Sequence, residues 1–377
     1  MEEGSNIIKK RETNFEFLRI IAMFMVVVLH YLSHAEVLLQ LGVPKTGVGV
    51  FATAIESLCI VAVNVWVLIS GYFLSQSGFK LSRILQLICE VFFYTIIISI
   101  VMMIAGVYVV NDRDSFYKAI QYIFPIESEH YWFATSYVLM YVFAPVMNAA
   151  VKNLTRKQLK VTILGLLLWF CFIKSFVPVL FSTDRYGYDL GWFLCVYLIA
   201  AYIRKYNVVL FYSAKKSLLV YLLSSTMTFV LFMGLHEINL RRGGFIYYST
   251  VPSHYNFILT LTGALGLFSF FRFCPMRENF FSKVIRYIAP LTFGVYLVHE
   301  HIEIRDRWII WLQSLIGDIP VDSVWAFAWH MLRCVVIVFA AGIFVDWIRM
   351  IIFEYIGRVL KDTFVFKWIR NMDKELC

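Results

Sequence analysis

Charged residues are scarce in this 377-residue chain. Asp, Glu, Lys and Arg together make up 16% of it, against about 25% in an ordinary soluble domain, which argues against a water-facing globular surface. No Pro/Ser/Gly linker and no internal repeat divides the chain, so a second domain is not expected. The seven cysteines (Cys59, Cys89, Cys171, Cys195, Cys274, Cys334 and Cys377) lie mostly within apolar runs. They show neither metal-ligand spacing nor an even-numbered extracellular framework, and read as small buried hydrophobes. After the basic cluster Lys9-Lys10-Arg11 there is no small-residue cleavage site, so the first apolar segment reads as a retained helix rather than a leader.

In place of charge there is hydrocarbon. The chain is 60% hydrophobic and 18% aromatic, with a mean hydropathy of +0.73. Apolar runs recur along its whole length, judged against the roughly 20 residues needed to cross a bilayer. Ten spans are predicted, near 15–34, 52–74, 86–110, 131–151, 161–182, 188–203, 217–236, 254–272, 287–303 and 324–348, the sixth being short. The expected fold is therefore an all-α polytopic membrane bundle, one domain over 1–377. Placing the N-terminal segment 1–14 and the basic tail 349–377 in the cytoplasm puts 23 Lys and Arg in cytoplasmic segments and eight in the opposite loops. That bias predicts both termini inside, at a cell (inner or cytoplasmic) membrane. The net charge of +9 then reports topology and anionic lipid. Nucleic acid would need a soluble basic face, and none is present.

Within the first span lies an expensive pair: Arg19, ten residues, then His30. Intramembrane ionisable groups usually face a polar cavity, a substrate path or each other. Eleven helical steps bring the two within about 20° of one face and about 16 Å apart along the axis, which suggests a catalytic channel. Glu16, one turn from Arg19, can pair with it, and a phosphate is the alternative partner. His30, in the outer half, can act as a general base near neutral pH; a core histidine bonded to a neighbouring helix is the plainer reading.

Further along, Ser70-Gly71 at the cytoplasmic end of the second span allows close backbone approach. Lys80 and Arg83 follow one turn apart, suiting a polyanion such as a nucleotide phosphate or simply obeying the positive-inside rule. Glu90 either lines the channel with Arg83 or pairs with Arg333 or Lys174. His130, Tyr131 and Trp132 at the outer surface could stack on sugar rings or anchor at the interface. In His299-Glu300-His301-Ile302-Glu303 a continuous helix would place His299 and Glu303 on one face and His301 opposite, so no metal is expected there. Arg241-Arg242 and His254 also lie outside, for an anionic glycan or an ordinary loop.

These segments together resemble a known family. Asn14-Phe-Glu16-Phe-Leu-Arg19 with His30 resembles the first helix of the membrane-bound acyltransferase 3 family, with Glu16 where an aspartate is common. Val65-Trp-Val-Leu-Ile-Ser70-Gly71-Tyr-Phe-Leu resembles its second-helix ending, Tyr131-Trp132-Phe133 through Pro145 its aromatic fourth block, and Thr292-Phe-Gly-Val-Tyr296-Leu-Val-His299 its late block. The resemblance implies a stand-alone acyltransferase that moves an acyl group, acetyl first, from cytosolic acyl-coenzyme A to a hydroxyl of a cell-surface or lipid-linked glycan. It implies catalytic roles for Arg19 and His30 and donor binding by Arg19, Lys80, Arg83, Ser70 and Gly71. The family's usual Arg-x-Arg is replaced by Lys80-Leu-Ser-Arg83. Acceptor contacts are expected from His130, Tyr131, Trp132, Tyr296 and His299, and channel roles from Glu16 and Glu90. A glycan flippase or polymerase, or a non-catalytic component of glycan assembly, is the rival class. No Ser-His-Asp or Cys-His spacing argues for a covalent intermediate.

Overall fold

The computed structural model describes residues 12–40, 43–107, 120–126, 128, 130–177, 179–244 and 246–376. Its described residues are all-helical, with 77% helix and no strand. The helices are α1 (Thr13–His34), α2 (Gly47–Cys59), α3 (Ala62–Leu74), α4 (Leu81–Ile104), α5 (Trp132–Asn153) and α6 (Arg156–Phe176, with a π-helical turn at Leu168–Phe172). There follow α7 (Leu190–Lys205), α8 (Ala214–Arg242), α9 (Ile258–Arg272), α10 (Phe280–Ile288), α11 (Thr292–His299), α12 (Trp308–Ile316), α13 (Val324–Leu360) and α14 (Phe364–Leu376).

Among the described residues nine helical segments are long and apolar enough to cross a membrane. The sixth expected span is present as α7, a helix of 16 residues, about 24 Å long. The chain is a polytopic helical membrane bundle. Two spans are broken. The second turns at Ile60–Val61 between α2 and α3, and the ninth is interrupted at Pro290, where a 3-10 turn separates α10 from α11; proline withholds a helical donor there.

Helix α3 is the axis of the bundle. Eleven of its thirteen residues are buried, which fits a segment hydrophobic on every side. It packs along α7, and Gly71 makes the close approach possible: a methyl at that position would stand 3.0 Å from the Tyr197 backbone. Asn64 ties this centre to the loop before α9, donating to the Tyr255 carbonyl at 2.7 Å and accepting from Trp192 Nε1 at 2.8 Å. Helices α6, α8 and α13 present mostly exposed apolar faces, as lipid-facing helices do.

A second close crossing joins α11 to α13. Methyls at Gly294 and Gly342 would meet Asp346 Cβ and Val295 Cα at 2.5 and 2.8 Å respectively. Asp346 is held there by Arg349, at 2.9 and 2.6 Å, and by the Tyr94 hydroxyl at 2.6 Å. Arg349 therefore belongs to the interior, at 5% exposure, and not to a solvated tail, because α13 continues to Leu360 before α14 begins.

Candidate active site

Helix α1 is fixed at both ends by polar contacts to distant helices. At its start Arg286 donates to Thr13 Oγ1 at 2.6 Å and Asn14 to the Phe271 carbonyl at 2.9 Å. Toward its end the Tyr31 hydroxyl meets His330 Nδ1 at 2.9 Å. His330 Nε2 faces the Gly317 carbonyl at 2.9 Å; a carbonyl only accepts, so that nitrogen carries the proton and Nδ1 accepts from Tyr31. The face holding Phe15, Leu18, Ala22, Val27, Tyr31 and Leu32 is fully buried. Beside it runs the stripe Arg19, Met23, Val26 and His30, the last three of which line a cavity with Val63, Trp66, Trp132, Phe133, Tyr255 and Tyr296.

His30 does not stand alone at that cavity. Its Nδ1 lies 2.8 Å from His299 Nε2 and 3.1 Å from Glu300 Oε1. The same carboxylate oxygen is 3.2 Å from His34 Nε2, one helical turn beyond His30. His299 Nδ1 faces the Val295 carbonyl at 2.5 Å, so in the neutral ring this nitrogen holds the proton and Nε2 is an acceptor. The proton of the His30–His299 contact then belongs to His30 Nδ1. That leaves His30 Nε2 with an open lone pair, the form a general base requires.

His30, His299 and Glu300 also offer three potential metal ligands, whose donor atoms lie within 4.8 Å of one another. The His30–His299 separation is that of a direct hydrogen bond. Two nitrogens on one tetrahedral zinc, each at about 2.0–2.1 Å, would stand roughly 3.3 Å apart. The two rings would have to part to admit an ion.

Sequence reasoning does not reach Glu300 and His34. The contacts to α1 span 266 to 269 positions in sequence, and no local pattern encodes them. The expected pairing of His299 with Glu303 on one helical face is not found, because α11 ends at His299 and the chain turns. That turn brings Glu300 beside His30, while Glu303 receives the Tyr122 hydroxyl at 2.6 Å and Arg307 at 3.1 Å. His301 faces the Thr95 carbonyl at 3.3 Å.

Of the other expected acceptor residues, Trp132 and Tyr296 line the cavity. Tyr131 is 1% exposed and donates to the Leu297 carbonyl at 3.0 Å, tying α5 to α11. His130 is buried against Tyr131 and His301, with ring centroids 4.5 and 4.8 Å away. Burial pushes its imidazole down to about 3, and the neighbouring His301 adds to this, so it is neutral near pH 7. His254 stacks against Tyr186 at 4.3 Å, and Arg241 pairs with Glu237 at 2.7 Å.

At the other end of the bundle Phe15 packs on Tyr72 and Phe73, with centroids 5.4 and 5.3 Å apart. The start of α1, the end of α3 and the start of α4 therefore share that end. Arg19 pairs with Glu16 at 2.8 Å. Lys80 and Arg83 are exposed at the first turn of α4, and Arg83 lies by the Tyr141 hydroxyl. Ser70 donates back to the Trp66 carbonyl at 2.9 Å and meets the Tyr137 hydroxyl at 3.1 Å. Two further cations, counted among the cytoplasmic Lys and Arg but not singled out in the sequence, join this end. Arg204 donates to the Tyr72 hydroxyl at 2.8 Å and covers its ring at 4.5 Å, and Arg272 lies 5.8 Å from the same ring. Glu90 finds neither Arg333 nor Lys174; its partner is Arg349, at 2.9 Å. Lys174 pairs instead with Asp184 at 2.7 Å.

A family model described as an acyltransferase domain matches residues 12–348. No curated protein and no solved structure matches the chain.

Proposed function

From the premise that the chain belongs to the acyltransferase 3 family of membrane acyltransferases, we propose that it is an O-acyltransferase using His30 as general base. The donor is an acyl-coenzyme A, acetyl-coenzyme A first, and the acceptor a hydroxyl of a cell-surface or lipid-linked glycan. The observation carrying this reading is the tautomer of His30. Its Nδ1 is engaged by His299 at 2.8 Å, which frees Nε2 at a cavity walled by aromatic rings.

In the proposed reaction the acceptor oxygen attacks the thioester carbonyl as His30 Nε2 takes its proton. The carbon–sulfur bond breaks, and the same proton passes to the leaving sulfur, giving ester and free thiol. Trp132, Tyr255 and Tyr296 offer ring faces suited to stacking against a sugar. The donor's phosphates are assigned to Arg19, Lys80 and Arg83, with Arg204 and Arg272 adding to the field at that end. Facing that cation-rich end to the cytoplasm agrees with the positive-inside bias. The pantetheine arm then extends along the stripe from Arg19 to His30, about 16 Å.

The test is mass spectrometry of cell-surface glycans from cells carrying the wild-type gene, no gene or His30→Ala. An acyl-sized mass on polymer of normal length, absent in the last two, is expected. Loss of polymer length without loss of acyl mass would point to a polymerase. Full acylation by His30→Ala at normal abundance would remove His30 from the mechanism.

A further inference from the structure

We infer that Glu300 is the positioning carboxylate of the active site, holding His30 in its basic tautomer and offsetting the charge that His30 acquires during transfer. This inference rests on the proposed role of His30 as base.

Three observations carry it. The first is geometry: one oxygen, Oε1, lies 3.1 Å from His30 Nδ1 and is hydrogen-bonded to His34 Nε2 at 3.2 Å, so a single carboxylate stands beside both rings of α1 while the His30 Nδ1–H is directed at His299. The second is rigidity. Glu300 caps α11, its own N–H donating to the Tyr296 carbonyl at 3.0 Å, and its side chain is only 13% exposed. The third is position. A carboxylate at a helix C-terminus faces the negative end of the helix dipole and is disfavoured there unless cations answer it. The groups facing it from α1 are His30 and His34; His299 precedes it in the chain. Asp306 lies 3.9 Å from the far nitrogen of His34 and 4.0 Å from Arg305. Among the described residues no Lys or Arg forms an ion pair with Glu300. A placement that costs stability is understandable if the charge is used.

When the acceptor's O–H proton moves to His30 Nε2, the ring becomes an imidazolium with both nitrogens protonated. At His30 Nδ1 the neutral His299 offers only the lone pair of its Nε2, whereas Glu300, 3.1 Å away, places a full negative charge beside the cation, and an interaction with an ionised partner is about twice as strong as a neutral one. Glu300 stays ionised throughout, and the proton returns through Nε2 to the thiolate sulfur. The carboxylate touches neither donor nor acceptor; it acts through His30.

The experiment compares Glu300→Gln, Glu300→Asp and His30→Ala in cells lacking the native gene, at matched membrane abundance. Initial rates of glycan acylation are read by mass spectrometry. Radiolabelled acetyl-coenzyme A binding and thermal unfolding are measured on detergent-solubilised full-length protein. Removing the charge while keeping the shape in E300Q should cut the rate by at least about tenfold, with donor binding and unfolding temperature unchanged. E300D, which restores the charge, should recover most of the rate. Wild-type rates in E300Q beside an inactive H30A would overturn the role of Glu300 and leave His30 as base. An active H30A would instead overturn the underlying reading. Equal losses in E300Q and E300D, together with lost donor binding, would make Glu300 a packing residue. Should E300Q fail to reach the membrane, E300D decides: recovery supports the charge, and inactivity in a normally folded E300D overturns it.

Discussion

A single methyl at Gly294 tests whether the active site depends on the crossing of α11 and α13. The added Cβ of Gly294→Ala falls 2.5 Å from Asp346 Cβ and closer still to its carboxyl group, where ordinary contacts begin at 3.4 Å. The deficit is at least about 0.9 Å. Asp346 cannot swing aside, because Arg349 grips it at 2.9 and 2.6 Å and Tyr94 at 2.6 Å. Helix α11 must therefore move, and His299 at its end moves with it. A displacement of that size is enough to carry the 2.8 Å His30–His299 bond to the edge of hydrogen bonding. Helix propensity favours alanine by about 1 kcal/mol. Overpacking opposes it by about 1–3 kcal/mol, and prising apart a buried ion pair costs about 3–5 kcal/mol, so the clash wins. Gly357→Ala is the control, since nothing lies within 4 Å of its added methyl. Thermal unfolding of the solubilised variants and acyl transfer in membranes are the two measurements. G294A should unfold earlier than wild type and lose transfer, while G357A keeps both. If G294A matched G357A in both, the dependence of the site on this crossing would be refuted.

Two more predictions follow from the ends of the bundle. Arg83→Ala should weaken acetyl-coenzyme A binding to solubilised protein and flatten its salt dependence; unchanged affinity at all salt concentrations would return Arg83 to the general positive field. The Lys174–Asp184 pair should also govern acid stability. Burial opposes the charge of Asp184, but Lys174 and the bonds from Tyr247 and Asn256 outweigh it and hold the carboxyl below its usual range. A carboxylate depressed on folding contributes stability in full above its ordinary value of 3.8, and loses it as pH falls toward the lower folded value. Melting curves between pH 6 and 3 should therefore show an acid loss that is smaller in Asp184→Asn, which starts less stable at pH 6; identical slopes would contradict this.

What is legible in the sequence follows the reach of each physical signal. Bilayer length and helical period act within one segment, so the apolar spans, the Arg19–His30 stripe and the pairing of Arg19 with Glu16 can all be read locally. The short sixth span is legible only as an apolar run; that it is a helix of sixteen residues with ten of them buried is seen in the structure. Contacts between segments are not legible. Glu300 meets His30 only because α11 stops at His299, and an unbroken helix would have carried Glu300 about 100° away from His299. Charge counting assigns Arg349 to a solvated tail, yet two buried carboxylates, Glu90 and Asp346, hold it inside. The late Phe-Gly-Val-Tyr block can be matched as a pattern, but its glycine acquires a reason only when Asp346 is seen against it.

The polar and aromatic halves of the site differ in how they can move, and the proposed chemistry needs both. His30 is held by His299 with Glu300 beside it, and α1 is pinned again through Tyr31 and His330, so the proposed base is already positioned in the absence of substrate. The adjoining cavity, by contrast, has a volume of about 20 Å³, room for about one water molecule. A thioester carbonyl and an acceptor hydroxyl cannot both fit there without displacing rings. Of the Trp, Tyr and Phe rings lining it, Trp132 at the first turn of α5 is the one only partly buried, whereas Phe133 and Trp66 are 6% and 9% exposed. In the proposed reaction, binding energy from the acceptor and the donor's arm would be spent on displacing those rings around a fixed His30.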